Sequence, residues 1–388
     1  MSEPLNLALI GCGSMMGGHV RGYRALWEHD LRDFRIVACC DVRRDAAEAM
    51  AGQIAEFQGA RPAVYAGVDD LLDRQADLQA CDVSVLHREH HTVACACLRA
   101  GKHVTIEKPL SITMRAGKLM LDAAAEAGVK LHVAENYRRA PSERAHNWVI
   151  KSGRIGEPWM VYWIDAGLRL WYWTWREHRM DAGAGWTLDG GVHFADMFRY
   201  HLGPVEQVYA VTRAFWPYRY AEREPLGGDL IEVDVEDAMI AILQFERPQM
   251  VGQWTLCSEC RGGGFGKRAV YGSEGMLDWS AGLRTEGVEL SREELVAEFM
   301  GSLSEDDRER FFPRGIEDTV AHELKEFVDA CLHGAPMETD GLEGYKAQAI
   351  CYAVYESAAT GQPVKVADVE ALAVEEYQRD INESLGLI

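Results

Sequence analysis

The first third of the chain alternates short apolar runs with segments of helical periodicity. The apolar runs occupy residues 5–10, 35–40, 83–86, 102–106 and 130–134. The helix-like segments between them occupy residues 18–27, 46–56, 92–100 and 114–127. Strands that alternate with helices of about 10–15 residues are typical of βαβ units, whose parallel sheet is covered on both faces. We therefore predict an α/β fold with an N-terminal doubly wound parallel sheet of the Rossmann type over residues 1–136.

The pattern changes after this region. Longer runs rich in β-branched and aromatic residues follow at 159–166, 205–215, 233–245, 250–257 and 269–279, and we expect Gly272 and Gly275 to bend the last run. Helical patterns return at 319–332 and 342–360. Consecutive strands without intervening helices favour antiparallel pairing. Residues 137–388 are therefore predicted to form an α+β domain with a large, mostly antiparallel open sheet.

Composition and charge narrow the function classes. The 388 residues contain 40 Lys+Arg and 61 Asp+Glu, so the formal net charge is −21, which argues against a nucleic-acid partner. The sequence lacks an apolar run of about 18 residues and a basic, apolar leader, so we expect no membrane partner and a cytoplasmic location. Cys257 and Cys260 form one C-x-x-C without a second pair, and we predict no metal site.

A glycine-rich turn follows the first apolar run. Gly11 and Gly13 stand directly before a helical segment, where glycines permit a tight turn and close approach to a pyrophosphate. Met16 occupies the position of the third glycine of the dinucleotide fingerprint. The coenzyme contacts predicted in this turn are Gly11, Cys12, Gly13, Ser14, Met15 and Met16.

An acidic residue ends the second apolar run. Asp41 stands where a carboxylate can accept hydrogen bonds from a ribose diol, and it would repel a 2′-phosphate. We therefore predict NAD as the coenzyme and NADP as the less favoured alternative. Val42 and Arg43 belong to the same predicted set of coenzyme contacts. Because the Arg43 cation could meet a 2′-phosphate, NADP stays an alternative coenzyme.

Two further segments contain chemically competent side chains. Glu107-Lys108-Pro109 ends a strand of the parallel sheet, at the edge where ligands of such sheets bind. Asp189 and His193 are four residues apart at the glycine-rich start of a helix, so both can face one side of it. Each segment also has a structural interpretation, as an exposed strand end or a helix cap. Together, an acid, a histidine and a lysine beside a nicotinamide are the groups needed to oxidise a secondary alcohol.

The chain resembles the glucose-fructose oxidoreductase, inositol dehydrogenase and MocA-like (Gfo/Idh/MocA) oxidoreductase family. The resemblance extends over nearly the whole chain and rests on GCGSM at 11–15, AGKHVTIEKPLSIT at 100–113, SGRIGEP at 152–158 and AGAGWTLDGGVHFAD at 182–196. It continues through VEDAMIAILQFE at 235–246, YGSEGMLD at 271–278 and the segment at 340–366. The E-K-P segment combined with a later D-x-G-x-H is specific to this family.

The resemblance implies roles for individual residues. Lys108, Asp189 and His193 would form the catalytic trio, and Glu107 with Lys108 would border the nicotinamide ribose. Many relatives carry T-P-x-x-x-H where this chain has residues 85–90, which keep the histidine and lose the threonine and proline. The remaining coenzyme contacts implied by the resemblance are Leu86, His87, His90 and Asn136.

These residues predict hydride transfer coupled to proton transfer. His193 would remove the hydroxyl proton, Lys108 would stabilise the alkoxide, and Asp189 would orient His193 or a neighbouring hydroxyl. The predicted substrate contacts are Lys108, Tyr137, Arg138, Trp175, Arg176, Asp189 and His193. The predicted substrate is a sugar, a cyclitol or a glycoside, and the arginines leave an acidic substituent open.

Two alternative functions stay open at this level. One is a redox-neutral NAD-dependent glycoside hydrolase, which oxidises its substrate transiently, eliminates the aglycone and reduces the product again. The other is a non-catalytic sugar or nucleotide sensor. The second domain is expected to offer a sheet face to a neighbouring subunit, so we predict a homodimer or a homotetramer.

Overall fold

The computed structural model describes residues 3–388, which divide into two compact units. One unit comprises the described residues up to Ala140 together with Ser304–Tyr345, and the other comprises Pro141–Leu303 and Lys346–Ile388. The first unit therefore includes a segment from late in the chain, so a single boundary after residue 136 does not reproduce the two units. As a division into functional domains, residues 1–136 and 137–388 stay a prediction.

A parallel sheet forms the centre of the first unit. Its six strands are β1 (Leu5–Ile10), β2 (Phe34–Cys40), β3 (Ala63–Tyr65), β4 (Ala80–Val83), β5 (His103–Glu107) and β6 (Leu131–Ala134). They lie in the order β3-β2-β1-β4-β5-β6, and every neighbouring pair is parallel. The accompanying helices are α1 (Ser14–Glu28), α2 (Arg44–Gln58), α3 (Val68–Arg74), α4 (His90–Arg99) and α5 (Met114–Ala127). The predicted doubly wound fold is confirmed.

Two details of the predicted sheet were wrong. The strand expected at residues 83–86 lies at Ala80–Val83 instead. The prediction was displaced because a buried aspartate, Asp82, interrupts the apolar pattern of the true strand. The short elements β3 and α3 were missed, since a three-residue strand gives no readable periodicity.

The second unit contains a nine-stranded sheet and a separate two-stranded ladder. Its strands are β7 (Pro158–Ala166), β8 (Val205–Arg213), β9 (Tyr218–Glu222), β10 (Gly227–Glu232), β11 (Ala238–Phe245), β12 (Val251–Cys257), β13 (Phe265–Gly272), β14 (Gly275–Asp278), β15 (Gly282–Thr285), β16 (Val288–Leu290) and β17 (Val364–Lys365). The large sheet has the order β16-β15-β14-β13-β7-β12-β11-β8-β17, in which β7 and β12 are parallel and the other neighbours antiparallel. The predicted large, mostly antiparallel sheet is confirmed.

The run at 269–279, which was expected to bend at Gly272 and Gly275, is divided there into the two antiparallel strands β13 and β14. The strand predicted to begin at residue 233 begins instead at Ala238. Just before it, the Asp237 carboxylate accepts hydrogen bonds from the backbone N–H groups of Phe215 and Trp216 and fixes a loop there.

The remaining helices follow in chain order: α6 (Pro141–Lys151), α7 (Arg179–Ala182), α8 (Trp186–Asp189), α9 (Gly191–Leu202), α10 (Arg292–Ser302), α11 (Glu305–Phe311), α12 (Thr319–His333), α13 (Gly341–Thr360), α14 (Val366–Glu370) and α15 (Arg379–Ser384). The helices predicted at 319–332 and 342–360 are confirmed as α12 and α13. In the part of the chain that the structure describes, none of these helices has the length and apolar character needed to cross a bilayer.

The late segment joins the first unit through an apolar core and a buried ion pair. Leu324 and Phe327 of α12 belong to the same core as Met16 of α1. The buried Arg139 guanidinium binds both carboxylate oxygens of Glu326 on α12, at 2.9 and 3.0 Å. Burial opposes ionisation of Glu326, but Arg139 outweighs it and holds the pKa of Glu326 well below its usual range.

Replacing Arg139 with methionine is expected to lower the free energy of unfolding by about 3–5 kcal/mol, because a buried carboxylate loses its countercharge. Urea unfolding followed by circular dichroism measures the loss. The matched control is Lys118→Met, which breaks an exposed ion pair with Asp122 and is expected to change stability by less than about 1 kcal/mol. Equal losses in the two variants would contradict a stabilising role for the buried pair.

The outer face of the large sheet carries exposed apolar side chains. Inward residues of β8 and β11, such as Val208 and Ala241, are buried. The outward positions contain Tyr209, Val211, Ile240 and Ile242, which are 38–56% exposed. Contiguous apolar surface of this kind is typical of protein interfaces.

Candidate functional site

The glycine turn between β1 and α1 has the backbone of a dinucleotide-binding loop. Gly11 has a φ of +85°, and a Cβ there would lie 2.2 Å from the carbonyl oxygen of Ser84, so only glycine fits. A Cβ on Gly13 would meet no described atom within 4 Å, which leaves this side of the turn open. Gly13 is also the N-cap of α1 and supplies no side chain to the first N–H groups. A pyrophosphate therefore fits this helix N-terminus.

Asp41 supports this turn. Its Oδ2 accepts a hydrogen bond from the Cys12 backbone N–H at 2.7 Å, and its Oδ1 accepts one from the Arg43 N–H at 2.8 Å. The carboxylate thus lies against the glycine turn, where a ribose diol is expected. Val42 and the Arg43 side chain are exposed beside it.

The other predicted turn residues differ in accessibility. Ser14 and Met15 are exposed, and the Cys12 side chain is buried. The Met16 side chain is fully buried in the apolar core, so contact between Met16 and a coenzyme would come from its backbone.

The strand order brings the other predicted coenzyme contacts to one edge of the sheet. Strands β1, β4, β5 and β6 are neighbours and parallel, so their carboxyl ends lie side by side. The segments after these ends contain the glycine turn, His87 to His90, Lys108 and Asn136. Ligands of doubly wound sheets bind at this edge, beside the point where the strand order reverses. Glu107 is buried at the end of β5, and Lys108 is half-buried.

His90 holds the E-K-P segment in place. Its Nδ1 lies 3.0 Å from the carbonyl oxygen of Pro109, and its Nε2 lies 3.3 Å from that of Val85. Burial lowers the pKa of His90 to about 4, so the ring is neutral at physiological pH. A neutral ring has one N–H, so the fully buried imidazole donates to one of these carbonyl oxygens and packs against the other, and it thereby contacts both the segment after β4 and the segment after β5. His87 is also buried and packs edge-on against His90, whereas Leu86 is exposed.

Asn136 precedes a 3₁₀ turn at Tyr137–Arg139. The Tyr137 side chain is exposed. The Arg138 guanidinium is buried and donates to the carbonyl oxygen of Glu338 at 2.9 Å. Of these two predicted substrate contacts, Tyr137 is thus the accessible one.

In the second unit, Asp189 ends α8 and His193 lies in the first turn of α9. Both side chains are buried. The two glycines between them are required by close packing: a Cβ on Gly190 would lie 2.5 Å from the Trp186 ring, and one on Gly191 would lie 2.9 Å from Trp254. This packing explains why the acid and the histidine are separated by glycines.

Glu236 anchors the start of α8. Its carboxylate accepts hydrogen bonds from the backbone N–H groups of Gly185 and Thr187, both at 3.1 Å. The Tyr355 hydroxyl donates to the same carboxylate at 2.7 Å. Glu236 therefore fixes the backbone that presents Asp189.

A pocket that opens to solvent adjoins Asp189 within the second unit, and its enclosed interior measures about 50 Å³. It is lined by three tryptophans, three arginines, three acids, a glycine and a serine: Trp171, Trp173, Trp186, Arg169, Arg176, Arg219, Glu177, Asp189, Glu236, Gly185 and Ser258. Indole faces stack on the C–H faces of sugar rings, and the polar groups can bind hydroxyls. The aromatic segment at 171–175 thus faces a cavity, and the Trp175 ring lies under the Arg176 guanidinium at 4.4 Å.

Each arginine of the cavity has a carboxylate partner. Arg176 Nε lies 3.5 Å from Asp189 Oδ2, and Arg219 Nε lies 3.0 Å from Glu177 Oε2. Arg169 Nη1 donates to Asp165 at 3.3 Å. Burial raises the pKa of Glu177 to about 6, with Glu236 and Asp189 adding to the effect and Arg219 opposing it. The cavity therefore has no surplus of positive charge among its described side chains.

The described residues contain no group of three or more His, Cys, Asp and Glu side chains arranged to hold a metal ion. Cys257 and Cys260 are half-buried free thiols.

Sequence reasoning missed several residues of these sites. His19, which bonds to Glu107, occupies an apolar position of α1, and a polar residue on an apolar helix face is a readable signal. Glu236 precedes a strand in a segment that gives no local sign of its partners. Glu177 and Arg219 are charged loop and strand residues that look like ordinary surface residues.

Comparison with known proteins gives matches over both units. Residues 5–135 match the description "Oxidoreductase family, NAD-binding Rossmann fold", and residues 149–366 match "Oxidoreductase family, C-terminal alpha/beta domain". A levoglucosan dehydrogenase of Pseudarthrobacter phenanthrenivorans is 27% identical over 95% of this chain and 100% of its own length. Inositol 2-dehydrogenase 2 of Saccharopolyspora erythraea is 28% identical over 95% of this chain and 98% of its own.

Solved structures share the fold. A levoglucosan dehydrogenase in complex with NADH and levoglucosan has a TM-score of 0.73 at 24% identity, covering 94% of this chain and 100% of that chain. The WlbA dehydrogenase from Bordetella pertussis in complex with NADH and UDP-GlcNAcA has a TM-score of 0.72 at 22% identity, covering 94% and 98%. With both family descriptions matched in order, the chain belongs to the Gfo/Idh/MocA oxidoreductase family, whose N-terminal domain is an NAD-binding Rossmann fold.

Proposed function

We propose that this protein moves a hydride between NAD and a secondary alcohol of a neutral sugar, cyclitol or glycoside. The observation that carries the proposal is the tryptophan-lined cavity beside Asp189, in which carboxylates neutralise the arginines. Two relatives that align over nearly their whole length are named levoglucosan dehydrogenase and inositol 2-dehydrogenase, and both names specify neutral polyhydroxylated rings.

The proposed catalytic residues are Lys108, Asp189 and His193. When bound, NAD supplies the hydride acceptor. His193 takes the hydroxyl proton onto its ring, which leaves the electron pair on the oxygen as the hydride departs from carbon. Lys108 donates a charge-assisted hydrogen bond to that oxygen and stabilises its developing negative charge. Asp189 orients His193 or a neighbouring hydroxyl of the substrate.

The coenzyme proposal is NAD rather than NADP. The Asp41 carboxylate adjoins the glycine turn and would repel a 2′-phosphate. The Arg43 Nε lies 3.8 Å from Asp41 Oδ1, so the cation that could favour a phosphate already has an anionic neighbour.

The proposal of a neutral substrate follows from charge. An acidic substituent would be recognised best by an arginine with free donors, in a bidentate geometry. Arg169, Arg176 and Arg219 each lie within 4 Å of a carboxylate. A carboxylate substrate would also meet repulsion from Glu236 and Asp189, whereas hydroxyls can donate to both.

A substrate panel with matched neutral and acidic members tests this proposal. We expect NAD reduction with levoglucosan, myo-inositol or D-glucose at a kcat/KM at least about 10-fold above that with D-glucuronate, and NAD to be preferred over NADP. A preference for the uronic acid would contradict the charge argument. Aglycone release from a glycoside without net NADH would indicate the redox-neutral hydrolase, and ligand binding without turnover would indicate the sensor.

We also propose that a second copy of this chain covers the outer face of β8 and β11. The support is the row of exposed Tyr209, Val211, Ile240 and Ile242. A homodimer or homotetramer would bury this face.

A cytoplasmic location is proposed because all ten cysteines are free thiols.

A further inference from the structure

A buried charged network lies in the first unit, directly behind the catalytic lysine segment. The His19 Nδ1 of α1 is 2.9 Å from both carboxylate oxygens of Asp82 on β4. The His19 Nε2 is 3.1 Å from Glu107 Oε1 at the end of β5. The Tyr23 hydroxyl donates to Asp82 Oδ2 at 3.0 Å. All four side chains are buried.

His19 is an imidazolium in this arrangement. A carboxylate accepts hydrogen bonds but does not donate, so both ring nitrogens must carry protons to bond to Asp82 and Glu107. Burial alone would lower the pKa of His19, but the two carboxylates outweigh it and raise the pKa well above its ordinary value. Glu323 of α12 also lies near, and burial raises its pKa well above its ordinary value, which favours its neutral form.

The position of His19 connects two parts of the proposed site. It lies on the helix whose N-terminus forms the dinucleotide turn. Through Glu107 it holds the residue directly before Lys108. A carboxylate with one oxygen bound to a buried cation has few accessible orientations, so the backbone that carries Lys108 is held in one direction.

We propose that His19 is a positioning residue for Lys108. Its bond to Glu107 fixes the end of β5 and thereby the direction of the Lys108 ammonium, whereas its bond to Asp82 anchors the ring and contributes stability. This inference rests on the proposed function, in which Lys108 acts on the substrate oxygen. Positioning matters because a displacement of about 1 Å at a catalytic group can lower a rate by about 100-fold.

Two substitutions of His19 separate positioning from stability. The amide nitrogen of asparagine takes the place of Nδ1, so His19→Asn keeps the bond to Asp82 and loses the bond to Glu107. The amide nitrogen of glutamine takes the place of Nε2, so His19→Gln keeps the bond to Glu107 and loses the bond to Asp82. Both variants lose the buried positive charge, and both are expected to have a lower Tm.

We expect His19→Asn to lower kcat by about 30-fold, and His19→Gln to lower it by no more than about 3-fold, with similar KM values. The isotope effect on kcat, measured with substrate deuterated at the carbon that loses the hydride, should increase in His19→Asn because misplacement of Lys108 slows hydride transfer. Tyr23→Phe is the control on the Asp82 side, and it is expected to lower Tm without changing the isotope effect.

If the two His19 variants lower kcat by the same factor, and that factor follows the decrease in their Tm, His19 has a structural role only and the inference is wrong. An unchanged kcat in His19→Asn also overturns it. The proposed function is tested separately by Lys108→Ala: full turnover in that variant would refute the role of Lys108 itself.

Discussion

Replacing Lys108 with alanine is expected to lower kcat by about 1000-fold or more, while the dissociation constant of NAD changes little. The reason is that the ammonium interacts with charge that develops on the substrate oxygen during hydride transfer, so its removal raises the barrier more than it weakens binding. Steady-state rates of NADH formation measure kcat, and quenching of tryptophan fluorescence on coenzyme binding measures the dissociation constant.

The matched control for this prediction is Lys118→Ala. Lys118 lies on α5 of the same unit, is exposed, and pairs with Asp122. Its removal is expected to change neither quantity. Lys108→Arg keeps the charge but replaces a compact ammonium with a planar guanidinium, and it is expected to recover only a small part of the rate. If Lys108→Ala lost coenzyme affinity and kcat in parallel, Lys108 would act in coenzyme binding.

Local patterns were sufficient to predict most of the first unit. The run at Leu5–Ile10, the glycine turn and the acid at Asp41 lie within about forty residues of one another, and each has a local physical reason. The backbone of Gly11 illustrates this, because its positive φ and its approach to Ser84 exclude every side chain. Such a backbone requirement can be recognised in the sequence, because glycine is the residue type that meets it.

Long-range partners were not predictable in the same way. The contact between Arg139 and Glu326 joins residues 187 positions apart, and the sequence around either gives no sign of the other. That Ser304–Tyr345 belongs to the first unit was unpredictable for the same reason, because it depends on contacts between residues far apart in the chain. His19 and Asp82 each interrupt an apolar pattern, so the sequence indicates that each needs a partner but does not identify it.

The cavity of the second unit shows a similar limit. The tryptophans at 171–175 suit a core corner or a ligand-facing loop equally well in the sequence. Only the folded chain shows that Trp171 and Trp173 line a cavity with Asp189. The charge of that cavity depends on pairs such as Arg219 with Glu177, which come from separate segments. The proposal of a neutral substrate therefore could not be made from the sequence, which left an acidic substrate open.

Replacing His193 with alanine is expected to lower kcat by about 100- to 10,000-fold, because proton removal by a positioned base contributes a factor of this size. Steady-state rates of NADH formation, with the dissociation constant of NAD measured in parallel, provide the test.

Added imidazole distinguishes proton transfer from packing. His193 is buried at the start of α9, so its removal leaves a space in which a free imidazole can take the proton and partly restore kcat in His193→Ala. The matched control is His333→Gln at the exposed end of α12, which is expected to leave kcat unchanged and to gain nothing from imidazole. A variant that gained nothing from imidazole would show that another group removes the proton. Glu177, which lines the cavity beside Asp189 with a pKa of about 6, would then be the next residue to replace.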